Sequence, residues 1–143
     1  MEIKFNASVV LASREVIKRY MVLFPEIKFM VFILKEFLDS RGLNDEKEGG
    51  MSPYALTIII SYFMESKKDP IIGQLLLSQH LLNILNLYGT MYNYKTLGIS
   101  LRAGGVYFFR DDKGWVDKSE EGCLSIAIEN PINILENLGR DIK

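Results

Sequence analysis

Between Ser13 and Tyr88 apolar residues recur every three or four positions, and beyond Gly89 they fall into short alternating runs. That change of period divides the chain into a helical part and a strand-bearing part. Val16, Ile17, Tyr20, Met21 and Phe24 form the stripe of a first helix, with Ser13 placed to cap it. Pro25 breaks that helix and opens a second at its first turn. There Ile27, Met30, Val31, Leu34, Phe37 and Leu38 keep the helical period. Phe29, Phe32 and Ile33 widen the stripe, which predicts a central helix touched on several sides. Gly42 suits the left-handed residue that ends it, and the charged segment 44–50 reads as a loop.

Ser52-Pro53 is a helix start, a hydroxyl N-cap followed by proline at the first helical position. The helix from Tyr54 to Met64 is apolar nearly all round and is expected to be the most buried. Asp69-Pro70 repeats the start signal ahead of a long helix to about Tyr88. Gly98 to Arg102 and Val106 to Arg110 are strand candidates separated by Ala-Gly-Gly. Asp111 to Gly114 reads as a tight turn, and Leu124 to Ile128 alternates as a third strand. The pattern predicts an α+β, mostly helical architecture: a bundle of about four helices followed by a small β-rich segment.

Composition narrows the class. The 143 residues are 48% hydrophobic, enough for one buried core and one domain. A net charge of -1 argues against a freestanding, broadly basic nucleic-acid binder, so any RNA contact must be local or shared with a partner. The single cysteine, Cys123, excludes an internal disulfide and fits a reducing, intracellular compartment. The apolar run from Ala55 to Met64 is too short to span a bilayer, and no membrane contact is expected.

The densest chemistry follows the third strand. Ile128 leads into Glu129-Asn130-Pro131, where a ladder cannot continue because proline has no N–H and a fixed φ. The twelve residues from Glu129 to Arg140 bring together Glu129, Glu136, Asn130, Asn133, Asn137 and Arg140, groups suited to a planar hydrogen-bonding ligand such as a nucleobase. A polar loop capping a short helix accounts for the same residues. Elsewhere Lys35 interrupts an apolar helix, as a lysine laying its stem on apolar surface would. Tyr54 fits equally a core residue or a stacking platform. Asp111 and Asp112 diverge as neighbours and lack a third ligand. His80 has no ligand at metal spacing and reads as a surface or packing residue.

The segment Ile128 to Arg140 resembles, without a gap, the nucleotide-recognition loop of terminal nucleotidyltransferases of the DNA polymerase sigma type. These are the nuclear poly(A) polymerases that tail RNA for decay. The family loop runs Ile-Glu-Asp-Pro, then variable residues, then Asn-Asp, an aliphatic residue and Gly-Arg. Here Asn130 stands for the aspartate and Glu136-Asn137 for Asn-Asp, with Glu136 at the position where members choose their base. Leu34-Lys35-Glu36-Phe37-Leu38 continues to Arg41 and Leu43-Asn44 as the family's Leu-Lys-x-Phe-Leu motif does, whose lysine contacts the triphosphate. Gly49-Gly50-Met51-Ser52-Pro53-Tyr54 is similar to Gly-Gly-aliphatic-Ser-Ser-Tyr, with Pro53 replacing a phosphate-touching serine. Leu87-Tyr88-Gly89 through Tyr94 and the glycines that follow extend the likeness over nearly the whole chain.

What the resemblance implies is a nucleotide-binding central (PAP-associated) domain of a template-independent RNA nucleotidyltransferase, acting on RNA 3′ ends with ATP or another nucleoside triphosphate. Lys35, Ser52, Tyr54, Glu129, Asn130, Asn133, Glu136, Asn137 and Arg140 fall on its nucleotide-binding positions. The family's catalytic chemistry uses two magnesium (or manganese) ions held by Asp-x-Asp and a third aspartate. Neither Asp-x-Asp nor the family's Gly-Ser occurs in matching context here, and Glu2 falls on the third metal-ligand position. The expectation is therefore that the catalytic domain lies outside this chain and that the chain is inactive alone. The alternative is a non-catalytic binding or scaffold subunit of an RNA-tailing and decay assembly. Expected partners are the RNA 3′ end, a catalytic domain and RNA-decay cofactors (a zinc-knuckle protein, a helicase), and the expected compartment is the nucleus.

Overall fold

A computed structural model describes residues 2–67, 75–116 and 125–142, with side chains from residue 7 onward. Four helices, α1 (Glu2–Leu23), α2 (Glu26–Ser40), α3 (Pro53–Ser66) and α4 (Leu77–Asn86), precede four short strands. The strands are β1 (Leu97–Ser100), β2 (Val106–Phe109), β3 (Ala127–Asn130) and β4 (Asn133–Asn137). They form one sheet in the order β2-β1-β3-β4, antiparallel except for the parallel central pair β1 and β3. The α+β, mostly helical expectation holds.

Helix α3 is the axis of the molecule. Every residue from Ala55 to Glu65 is buried, as its all-round apolar sequence predicts. Its start is the expected one: the Ser52 hydroxyl accepts the Ala55 N–H at 3.1 Å and Pro53 sits inside the first turn. The polar residues inside it are satisfied by the helix itself, Thr57 donating to the Pro53 carbonyl and Ser61 to that of Thr57, both at 2.7 Å.

Helix α2 packs Ile27, Met30 and Leu34 inward and ends as the sequence predicts. Gly42, at φ +66°, lets its own N–H reach the Asp39 carbonyl and the Leu43 N–H reach that of Leu38, a Schellman ending. It is not, however, touched on several sides. Phe29, Phe32 and Ile33 are 56%, 66% and 42% exposed, so the widened stripe faces outward. Helix α1 also departs from expectation. It runs unbroken from Glu2, and Ser13 sits inside it, donating to the Val9 carbonyl one turn back at 2.9 Å instead of capping a start.

Helix α4 begins at Leu77, because Leu76 is extended and its N–H is taken by the Gln79 side chain at 2.9 Å. A single helix from Asp69-Pro70 to Tyr88 is therefore excluded; Asp69 and Pro70 lie outside the described residues. His80 is a packing residue, 2% exposed and edge-on to Phe63. After a π-helical turn at Leu87–Met91 the chain enters the sheet. The Ala103-Gly104-Gly105 turn joins β1 to β2 as expected, and Arg110–Lys113 forms a 3-10 turn closed by left-handed Gly114. Among the described residues no helix is long and apolar enough to cross a membrane.

Candidate nucleotide-recognition site

The polar segment after the third strand is itself a hairpin. β3 continues through Glu129 to Asn130, Pro131 and Ile132 make the turn, and β4 returns with Asn133 opposite Asn130. Proline does end the strand, but two residues later than the alternation alone indicates, at Asn130 instead of Ile128, because a two-residue turn requires no N–H from it. The carboxamides build this shape. Asn130 Oδ1 accepts the Ile132 N–H at 3.2 Å and Asn133 Oδ1 accepts the Leu135 N–H at 3.3 Å. Asn137 Oδ1 accepts both the Ile128 and Gly139 N–H groups at 3.0 Å, so its carbonyl faces backbone and not an open surface.

Three of the sequence-predicted residues meet. Tyr54, half-buried in the first turn of α3, donates its hydroxyl to Asn130 Oδ1 at 3.1 Å across 76 residues of chain. Asn130, 4% exposed, donates from Nδ2 to Glu136 Oε2 at 2.7 Å. Burial raises the Tyr54 hydroxyl above its ordinary pKa; hydrogen bonding with Ser13 of α1 opposes that, and the Glu136 charge adds to it. The phenol is therefore a neutral donor throughout the physiological range. Its ring stands at the helix N-terminus beside Ser52, whose hydroxyl is used on the cap.

Glu129 turns the other way. It is 1% exposed, and its carboxylate accepts from Ser100 Oγ at 2.8 Å, from Arg102 Nη2 at 2.8 Å and from Lys113 Nζ, with Arg102 Nε in ion-pair contact at 2.6 Å. Burial pushes its pKa up, but the hydrogen bonds from Lys113, Ser100 and Arg102 outweigh it and hold the group below the usual carboxylate range. Glu129 is thus a structural anchor under the hairpin. Arg110, 3% exposed, is a second such anchor: it donates to the carbonyls of Trp115, Tyr94 and Ser125 at 2.7–2.8 Å. The sequence gives no spacing that pairs Ser100, Arg102 or Lys113 with Glu129. A charged residue closing an apolar strand, as Arg110 does after Val106–Phe109, is the one available cue.

The remaining predicted residues take no part in the Tyr54–Asn130–Glu136 hydrogen bonds, although Asn133 stands opposite Asn130 and Arg140 shares a hollow with Glu136. Lys35 is on the exposed side of α2, and no hydrogen bond or ion pair among the described residues joins it to Tyr54. Arg140 is exposed and lines, with Glu136, Asn137 and Trp115, a polar hollow of about 650 Å³. Asn133 is exposed on β4. Glu2 starts α1, and its side chain lies outside the described residues. An apolar cavity of about 390 Å³ between α2, α3 and α4 is lined by Leu34, Phe37, Met51, Ile59, Ile84 and Tyr88 and holds none of the predicted site residues. Among the described residues no three His, Cys, Asp or Glu side chains group as metal ligands.

Residues 76–135, spanning α4, the sheet and most of the hairpin, match the family described as Cid1 family poly A polymerase. The chain is similar to the poly(A) RNA polymerase cid14 of Schizosaccharomyces pombe, at 28% identity over 98% of this chain and 21% of that protein. It is also similar to an inactive poly(A) RNA polymerase protein, Trf4-2, of Drosophila melanogaster, at 30% identity over 97% of this chain and 35% of that protein. The chain thus spans about a fifth to a third of the curated relatives it matches. Among solved structures, the polymerase core of TRAMP, an RNA surveillance complex, superposes with a TM-score of 0.75 at 21% identity, over 90% of this chain and 41% of that one. Cid1 in complex with the UTP analog UMPNPP superposes with a TM-score of 0.70 at 19% identity, over 94% of this chain and 49% of that one. At those identities the structures establish the fold.

Proposed function

We propose that this chain, a poly(A) polymerase-like domain with an RNA nucleotidyltransferase fold, forms the base-reading wall of a nucleoside triphosphate site. The opposite wall, with the metals, belongs to another module. The observation that carries this reading is the hydrogen-bonded chain Tyr54–Asn130–Glu136, which places an aromatic face next to an amide and a carboxylate. An aromatic face stacks on any base, while polar groups at its edge read hydrogen-bonding pattern. Lys35 supplies phosphate contact from the outer face of α2, and Arg140 and Asn133 line the approach from the hairpin. Glu129 and Asn137 hold that hairpin in place. The reaction assigned to the complete enzyme is template-independent nucleotide addition to RNA 3′ ends in nuclear RNA processing or decay.

Magnesium or manganese does not fit the residues at hand. The described side chains offer no three-donor cluster, and Glu129, the most buried carboxylate of the hairpin, is already held by two cations. A non-catalytic subunit of an RNA-tailing assembly, met by a zinc-knuckle protein or helicase, is the second reading. It is favoured by Pro53, which occupies the first turn of α3 with neither a hydroxyl nor an N–H to offer phosphate.

Titration of the chain with ATP and with UTP, followed by amide NMR shifts, tests the assignment. Binding is expected no tighter than high micromolar, with shifts centred on Tyr54, Asn130 and Glu136. Tyr54→Ala removes the stacking face and is expected to weaken binding about ten- to a hundredfold. Shifts confined to other surfaces, or equal affinity in Tyr54→Ala, would overturn the reading.

A further inference from the structure

The hairpin that presents Asn130 and Glu136 is weakly braced by its own strands. β4 is an edge strand with Asn133 to Glu136 exposed, and its pairing with β3 is interrupted by a register shift between Glu129 and Asn130. β3 is held by β1 only at Ala127 and Ile128, so from Glu129 onward the hairpin is a two-stranded ribbon, and such a ribbon by itself is marginal in water. The brace comes from the 3-10 turn after β2. Lys113 Nζ donates to the buried Glu129 carboxylate and, at 2.7 Å, to the Ile134 carbonyl of β4. The same ammonium lies 4.6 Å from the Trp115 ring centroid and 5.1 Å from that of Phe108, and its side chain is only 20% exposed.

We propose that Lys113 is a positioning residue for nucleotide recognition, a single ammonium that ties the β4 backbone at Ile134 to Glu129 on β3. That tie sets the separation at which Asn130 and Glu136 share a hydrogen bond. A compact cation with three divergent donors reaches a carboxylate, a carbonyl and two ring faces at once, which a planar guanidinium does not. Arg102, the other cation on Glu129, makes no bond to β4 and is 55% exposed, so it neutralises the carboxylate without bracing the hairpin. The inference rests on the Tyr54–Asn130–Glu136 reading for its consequence, but the brace itself is independent of any ligand.

The experiment compares Lys113→Met with Arg102→Gln, reading amide hydrogen exchange and ATP titration on the same samples. In Lys113→Met, exchange at residues 133–137 is expected to quicken roughly tenfold or more, the scale of a lost hydrogen bond to a charged group, while α3 stays protected. ATP affinity is expected to fall by a similar factor. Arg102→Gln is expected to leave both β4 exchange and affinity near wild type. Unchanged β4 exchange in Lys113→Met, or equal effects in the two variants, would overturn the brace. If Lys113→Met does not fold, Lys113→Gln, which keeps a donor for the Ile134 carbonyl, should restore β4 protection; if it folds without doing so, the brace is overturned. Failure of wild type to bind ATP, with the exchange difference intact, would instead refute the nucleotide site.

Discussion

Gly139→Ala is expected to destabilise the chain by about 3 kcal/mol, the upper end of what overpacking costs. A Cβ on Gly139 would lie 1.7 Å from the backbone oxygen of Ile126 and 3.1 Å from the Ile126 Cγ2. Rotamer changes relieve contacts between flexible side chains, but here the obstacle is main chain, so the segment after β4 has to move. That segment carries the Gly139 N–H to Asn137 Oδ1 bond and the 2.9 Å bond from Leu138 N–H to the Ile128 carbonyl, and both would lengthen. Urea unfolding measures the loss. Gly114→Ala is the control: at φ +65° with nothing within 4 Å of the added methyl, it should cost only about 1–2 kcal/mol, from backbone strain alone. Equal losses in the two variants would mean that Gly139 is not a close-approach glycine.

Glu129→Gln is expected to cost about 2 kcal/mol at neutral pH. Removing one member of a fully buried ion pair costs about 3–5 kcal/mol; Arg102 can turn to water and Lys113 is partly exposed, which lowers the figure. The pH dependence carries a sign. Lys113, Ser100 and Arg102 depress the folded-state pKa of Glu129 below its unfolded value, so the folded state binds that proton less readily. The stabilisation is present above the ordinary carboxylate value and is lost as pH falls through the lower folded value. Wild type and Glu129→Gln should therefore differ most near neutrality and converge in acid, as thermal melts across that range would reveal. A gap that widens on acidification would contradict the network.

Signals confined to one turn of chain were legible. Ser52 and Gly42 mark real helix ends because capping is chemistry between neighbours, and the all-apolar run of α3 admits no placement but the centre. Strand β4 was not legible. Ile134 and Leu135 are adjacent apolar residues, 43% and 83% exposed, so no face is buried to impose alternation on an edge strand. The outward Phe29 and Phe32 mislead for the opposite reason, since hydrophobicity marks what is to be covered and not what covers it. The site residues were chosen by resemblance, and the structure sorts them by partner: Tyr54, Asn130 and Glu136 bond to one another, while Glu129 and Asn137 hold the scaffold. The cations that complete the scaffold, Arg102 and Lys113, lie 27 and 16 residues from Glu129, a distance at which no periodic pattern survives.

Phe29, Phe32 and Ile33 display an apolar strip in the native state. Environment-sensitive dyes that light up on greasy surfaces should then fluoresce with the properly folded chain. For this molecule such a glow does not diagnose a molten globule, and near-ultraviolet circular dichroism is the measurement that separates the two.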